Sequence, residues 1–310
     1  MSRSEHSDMA SHGAVSTSRR NGRAKPRALS LCDQLLLDTA PRRGQIIVGD
    51  ALAVLRQLPP NRFPCCITSP PYWGLRDYGL AKQIGGEQSL DDYLKRLVAV
   101  FNQVRRVLTS DGTLWLNLGD SYTSGNRTWR DDDKKNPARA MSYRPPTPPG
   151  LKPKDLIGVP WRLALALQCS GWYLRADIIW NKPNCQPESV KDRPTRSHEY
   201  VFLFSKAEKY YYDYGALREP TKGNGALRNS RTVWNINTEA FRGAHFATFP
   251  PRLVERCALA GSRTSDEVLD PFFGSGTVGE VCLRLERRFL GIEICEKYAK
   301  LARRRLGWAE

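Results

Sequence analysis

An apolar run, Cys65-Cys66-Ile67-Thr68, ends abruptly in Ser69-Pro70-Pro71-Tyr72-Trp73. The two prolines stiffen the turn and carry no N–H, so the carbonyls there are left to accept hydrogen bonds from something else. In an open α/β sheet the loop at the C-terminal end of a strand is where ligands bind. The competing reading is an ordinary Ser-Pro-Pro turn under an aromatic lid. A second apolar run, Val268-Leu269, leads into Asp270-Pro271-Phe272-Phe273-Gly274-Ser275-Gly276-Thr277. Its glycines let a backbone approach a ligand closely, and a helix opening at Thr277 offers unpaired N–H groups to a carboxylate or phosphate. This segment lacks the Gly-Lys-Ser/Thr ending of a nucleotide P-loop and the spacing of a dinucleotide fingerprint. An acid, Glu293, closes the next strand about 20 residues on, as ribose recognition requires. An adenosine-bearing ligand other than ATP or NAD fits that combination; alone, the glycines could be plain strand-to-helix geometry.

Both loops need strands to deliver them and helices to hold those strands in register. Seven β-rich runs are expected at Gln45–Val48, Cys65–Thr68, Thr113–Leu118, Asp177–Trp180, Tyr200–Phe204, Glu267–Leu269 and Phe289–Glu293. Apolar residues at Leu90, Leu94, Leu97, Phe101, Val104 and Leu108 follow a helical period, after Ser89 as N-cap and before Gly112. Further helices are expected from Pro160 to Gln168, over Thr277–Leu285 and over Glu296–Leu306. Strands alternating with helices predict an α/β fold with a largely parallel, doubly wound sheet. Two stretches break the alternation. Ser121–Asp155 is proline-rich and basic and is expected to be a surface excursion; Ala207–Arg242 mixes tyrosines, arginines and glycines.

The whole chain, 310 residues with 48 Lys+Arg against 32 Asp+Glu, carries a formal charge of +16, which suggests a polyanionic partner. A hydrophobic fraction of 40% supports a folded core. No apolar run approaches the ~18 to 20 residues that span a bilayer. Residues 1–43 read as a disordered basic arm and lead-in, with 44–310 as the working domain. The eight cysteines form no C-x-x-C pair, so no metal site is expected, and a reduced, cytoplasmic setting suits them.

Asp270-Pro271-Phe272-Phe273-Gly274-Ser275-Gly276-Thr277 resembles the S-adenosylmethionine loop of the amino-group DNA methyltransferases. Thr68-Ser69-Pro70-Pro71-Tyr72-Trp73 resembles their catalytic loop. The catalytic loop comes first, as in the β subgroup, whose seven-stranded sheet is circularly permuted with the target-recognition segment between the two loops. Gly49-Asp50-Ala51, Leu116-Asn117-Leu118-Gly119-Asp120, Asp177 to Asn184 and His245 to Pro250 extend the match, so six segments agree in family order. The resemblance implies the following roles. Glu293 binds the cofactor ribose, Asp50 and Ala51 border the adenine, and Asp270 to Thr277 hold the methionine part. His245, Phe246 and Thr248 cover the cofactor's other side. Ser69 and the Pro70 carbonyl, with Pro71 stiffening the loop, accept from an exocyclic amine, and Tyr72 stacks on the base.

Such an amine lies inside a duplex, so the base must be extruded onto an aromatic platform, Tyr72 or Trp73. In this family Ser at the head of the catalytic loop accompanies cytosine N4, whereas Asp or Asn accompanies adenine N6. Ser69 therefore points to N4-cytosine methylation. N6-adenine, a protein amide and an inactive DNA-binding relative are the alternatives. Cys65 and Cys66 are expected to pack in the core rather than attack. Target recognition is placed at 185–242, with Arg193, Arg196, Arg218, Lys222, Arg228 and Arg231 joining Trp73 and Arg76 as DNA contacts. Double-stranded DNA is the expected partner, together with a cognate restriction endonuclease.

Overall fold

In a computed structural model, residues 43–75, 79–80, 83–123, 145–221, 223, 225–239 and 249–308 are described; they belong to one compact unit, 39–310. Its centre is an eight-stranded sheet. In chain order the strands are β1 (Gly44–Val48), β2 (Phe63–Thr68), β3 (Leu108–Leu118), β4 (Tyr173–Asn181), β5 (His198–Ser205), β8 (Val233–Asn235), β9 (Glu267–Asp270) and β10 (Arg288–Glu293). Two short strands, β6 (Glu219–Pro220) and β7 (Leu227–Arg228), pair in a separate ribbon. Across the sheet the order is β1-β10-β9-β2-β3-β5-β4-β8. The first five run parallel; β5 is antiparallel to both β3 and β4, and β8 runs parallel to β4.

All seven expected strands are present. The eighth, β8, is a correction to the sequence reading, which left 207–242 outside the sheet. Its alternation is short but clear: Trp234 and Ile236 are buried while Val233 and Asn235 face out, which is the period of an edge strand. Tyr122 bridges Leu156, which closes the base of the 121–155 excursion; its residues 124–144 lie outside the described residues.

Among the described residues six helices flank the sheet: α1 (Ala51–Gln57), α2 (Leu90–Val107), α3 (Val159–Cys169), α4 (Pro251–Gly261), α5 (Thr277–Arg284) and α6 (Glu296–Arg305). The period-read α2 buries Leu90, Leu97, Phe101 and Val104 as expected but leaves Leu94 half-buried and ends at Val107, because Leu108 already opens β3; Ser89 caps it by accepting from the Asp92 N–H at 3.0 Å. Helix α3 is capped from afar. Asp120, just past β3, accepts from the N–H groups of Gly158 and Val159, both at 3.0 Å, so one carboxylate joins a strand end to a helix start. Helices α4, α5 and α6 cover one face of the sheet, where Leu253, Val254, Val278, Val281 and Ala302 meet Cys65, Val268 and Phe289. On the other face Trp161 of α3 packs edge-on against Phe202 of β5, with ring centroids 5.3 Å apart.

The winding reverses between β9 and β2. From β9 the chain passes outward to β10, and from β2 it passes the other way to β3, yet β9 and β2 are neighbours. A crevice outside the carboxyl ends of two such strands is the expected ligand site of an open α/β sheet. No helix among the described residues is long and apolar enough to cross a membrane, and no group of three metal-ligating side chains occurs among them.

Candidate active site

A cleft of about 250 Å³ opens at this reversal point. Both chemistry-bearing loops line it, because they leave adjacent strands. The strand ends are tied directly: the Thr68 hydroxyl donates to Asp270 Oδ1 at 2.7 Å, which also accepts from the Phe272 N–H at 3.0 Å. Burial pushes the Asp270 carboxyl up to about 7, with the nearby Glu293 charge adding to the rise and the two hydrogen bonds opposing it.

Glu293 organises the glycine loop. Its Oε2 accepts from the Gly274 N–H and its Oε1 from the Cys295 N–H, both at 2.8 Å. Burial raises this carboxyl too, against the pull of those N–H groups. Each carboxylate oxygen retains a lone pair for a further donor such as a ribose hydroxyl. Gly274 and Gly276 hold φ of +52° and +82°, conformations that side chains resist. Behind them, Phe273 lies over Gly291 and stacks on Phe289 at 5.3 Å, and Phe289 stacks on Trp308 at 5.6 Å. Arg305 of α6 donates to the Thr277 hydroxyl at 2.9 Å and pairs with Glu280 at 2.5 Å, so the last helix pins the start of α5.

Asp50, Ala51, Asp270, Pro271, Phe272, Gly274, Ser275, Thr277 and Glu293 line the cleft, as do Ser69, Pro70, Pro71 and Tyr72. Asp50 serves a second purpose as N-cap of α1, accepting from the Ala53 N–H at 2.9 Å. The Pro71 carbonyl accepts from the Tyr93 hydroxyl at 2.9 Å, whereas no donor among the described residues is aimed at the Pro70 carbonyl. Cys65 and Cys66 are buried, and burial holds the Cys65 thiol up to about 12, so they pack as expected.

Trp73 does not face a ligand. The residue is 6% exposed and its indole N–H donates to the Glu87 carbonyl at 3.0 Å, which makes it a wedge beneath the catalytic loop and leaves Tyr72 as the aromatic that this loop presents to the cleft. Arg193 and Arg196 lie on the loop between β4 and β5, at the same strand edge as the cleft. There Arg193 pairs with Glu188 at 2.6 Å and lies 4.0 Å above the Tyr122 ring. Arg228 belongs to the β6-β7 ribbon beside α4 and Arg218 immediately precedes it: Arg218 donates to the Leu227 carbonyl at 2.7 Å, and Arg228 pairs with Glu219, as does Arg256 of α4. None of these arginines lines the cleft, nor does the exposed Arg231. Arg76, Lys222, His245, Phe246 and Thr248 lie outside the described residues; Phe249, next to the last three, does line the cleft. The reading also missed Asn117 of β3, Lys182 just past β4 and Glu199 of β5, which line the cleft, and Tyr298 of α6. The first three lay inside or beside matched segments, but nothing in their spacing joined them.

The family model for DNA methylases matches residues 63–304, which takes in both loops. The chain belongs to the DNA methylase family. The Type II methyltransferase M.SmaI of Serratia marcescens is 63% identical to this methylase over 281 residues, covering 90% of this chain and 96% of its own. M.Cfr9I of Citrobacter freundii is 64% identical over 258 residues, with 83% and 86% covered. Among solved structures, PvuII DNA methyltransferase (cytosine-N4-specific) shares the fold at a TM-score of 0.63, with 21% identity and 84% of each chain covered. A putative DNA modification methylase from Thermus thermophilus, complexed with S-adenosyl-L-methionine, aligns at a TM-score of 0.60 with 25% identity, over 85% of this chain and 93% of its own. This methylase is thus a Type II, S-adenosylmethionine-dependent DNA methyltransferase of the N4/N6 amino-group family. The cleft suits that cofactor. It offers carboxyls at Asp50, Asp270 and Glu293 to hydroxyls and positive charge, a helix N-terminus at Thr277 to a carboxylate, and apolar walls at Pro271, Phe272, Ile292 and Ile294 to a flat ring.

Proposed function

We propose that this methylase transfers its methyl group to N4 of a cytosine extruded from duplex DNA. The observation that carries the reading is Ser69 in the cleft wall, one residue before the uncommitted Pro70 carbonyl and beside the cofactor loop. An exocyclic amine is a poor nucleophile because its lone pair is delocalised into the ring. Two acceptors, Ser69 Oγ and the Pro70 carbonyl, draw its N–H bonds out of plane and localise that lone pair toward the cofactor side of the cleft. S-adenosylmethionine, when bound, supplies a methyl group activated by the positive sulfur. Placement and electrostatics carry the step, without a strong base. Extrusion of the base costs a few kcal/mol, and Tyr72 gives it a face to rest on. Serine at the head of this loop favours cytosine over adenine, the family correlation supporting the choice.

Arg193 and Arg196 take the DNA backbone in this reading, which their stacking on Tyr122 at the sheet edge that carries the cleft supports. Arg218, Arg228 and Arg231, on and beside the β6-β7 ribbon, do not line the cleft and serve DNA only beyond the immediate target. By likeness to its Type II relatives, the modified site is one that a cognate restriction endonuclease cuts. The test is to incubate the protein with S-adenosylmethionine and unmethylated genomic DNA, digest to nucleosides and read the modified base by mass spectrometry. N4-methylcytosine is the expected product. N6-methyladenine instead would overturn the assignment drawn from Ser69 while leaving the cofactor site as described.

A further inference from the structure

Four elements bring polar side chains together on Glu199, in the wall of the cleft. Its Oε2 accepts from the Tyr72 hydroxyl at 2.7 Å and from Asn117 Nδ2 at 3.1 Å, and its Oε1 accepts from Lys182 Nζ at 2.5 Å. The carboxylate and the ammonium are only 17% and 18% exposed. Lys182 also lies 4.3 Å above the Trp180 ring, and Asn117 is steadied by the Tyr200 carbonyl at 3.1 Å. Taking such a pair out of water costs free energy that well-packed apolar residues would not, so stability alone is a weak reason to keep it. The backbone makes room for the cluster: a Cβ on Gly119 would stand 2.8 Å from the Tyr72 ring and 3.1 Å from the Glu199 carboxyl carbon.

The cluster has a direction. A carboxylate only accepts, so Tyr72 must donate to it. Burial first, and then the Glu199 charge, hold the phenol well above its usual range, which keeps it a donor. With its proton given to Glu199, the phenol oxygen keeps its lone pairs for donors within reach, the Ser69 hydroxyl and the Gly119 N–H. A Ser69 hydroxyl that spends its proton on Tyr72 presents only lone pairs to the cleft, and an exocyclic amine needs an acceptor there.

We propose that Glu199 is a positioning residue that sets the hydrogen-bond polarity of the catalytic loop, accepting from Tyr72 so that Tyr72 accepts from Ser69 and Ser69 is left to accept from the target amine. The proposal rests on the reading of Ser69 as an amine acceptor. Lys182 balances the charge on Glu199, and Asn117 fixes its rotamer.

The experiment measures transfer of labelled methyl groups to DNA, counted irrespective of base, in Glu199→Gln, Tyr72→Phe and the double variant, with DNA KM and cofactor affinity read alongside. Each single variant is expected to lose about ten- to a hundredfold in kcat, as for loss of a hydrogen bond to a charged group. DNA KM and cofactor affinity stay near wild type, and Glu199→Asp recovers part of the rate. The double variant is expected to be no slower than the singles, because both break the same chain. Unchanged kcat in Tyr72→Phe, which leaves the ion pair whole and so folds, overturns the proposal. So do losses that multiply in the double variant, or a defect confined to DNA KM. If the wild type moves no methyl group onto DNA, the parent reading fails; if it does and the variants keep pace, only this inference fails.

Discussion

Asp270 shows how one residue couples the site to the fold. Its folded value of about 7 lies above the ordinary 3.8, so between those values the native state holds a proton that the unfolded chain releases. Stability on this account is fullest below pH 4, falls as pH rises toward 7 and levels above it, at roughly 1.4 kcal/mol for each pH step of one crossed between them. Asp270→Asn removes the titration. The gap in stability between the wild type and this variant, followed by denaturant melts from pH 4 to 8, is expected to move steadily against the wild type up to about 7; a gap independent of pH refutes the burial account. At this scale the sequence was legible wherever chemistry clusters in the chain. Ser69 to Tyr72 and Asp270 to Thr277 are contiguous, and all of them except Gly276, which supplies the turn behind the loop, face the cleft. Glu199 was not legible, because residues 72, 117, 182 and 199 meet only through sheet pairing. Trp73 misled for the opposite reason: an aromatic beside a catalytic loop reads as a platform, and only burial reveals a wedge.

Among the elements, the cofactor loop depends on how closely β10 lets Phe273 approach. A Cβ on Gly291 would lie 2.3 Å from the Phe273 ring, in the core. Gly291→Ala is expected to cost about 2 kcal/mol by overpacking and, by pushing Phe273 aside, to weaken cofactor binding as well. Thermal melting and calorimetry check the two effects; a lower melting temperature with unaltered affinity would show that the loop absorbs the change. Element legibility followed period and length. Helix α2 shows five spacings in its apolar residues and was expected in place, whereas α4 begins at Pro250-Pro251 and looks like a break, although a proline suits a helix's first turn. Helix α1 is a mere 7 residues, and its cap, Asp50, doubles as a cleft residue. Strand β8 has 3 residues, too few for a period to declare itself.

Across the whole molecule, the charge of +16 is a statement about DNA and not about the fold. Binding to duplex DNA is expected to weaken at least tenfold between about 50 and 200 mM salt, because releasing the counterions held by phosphates gains less entropy in a saltier solution. Equilibrium binding at several salt concentrations checks this, and a flat profile would mean that the excess positive charge lies away from the duplex. The order of the sheet has a separate consequence. Strand β1 has one neighbour, β10, and most of the chain's length separates the two. The glycine loop is braced from Trp308 through Phe289, and from Arg305. A nascent chain leaving the ribosome can therefore fold the β2-β3-β5-β4 half early, while β1 waits unpaired and no cofactor pocket exists. Closing so distant a pairing is slow, so the cofactor pocket forms only after β9, β10 and α6 have been made, well after the catalytic loop, and a chain stopped between β5 and β9 carries a catalytic loop with no pocket for a methyl donor.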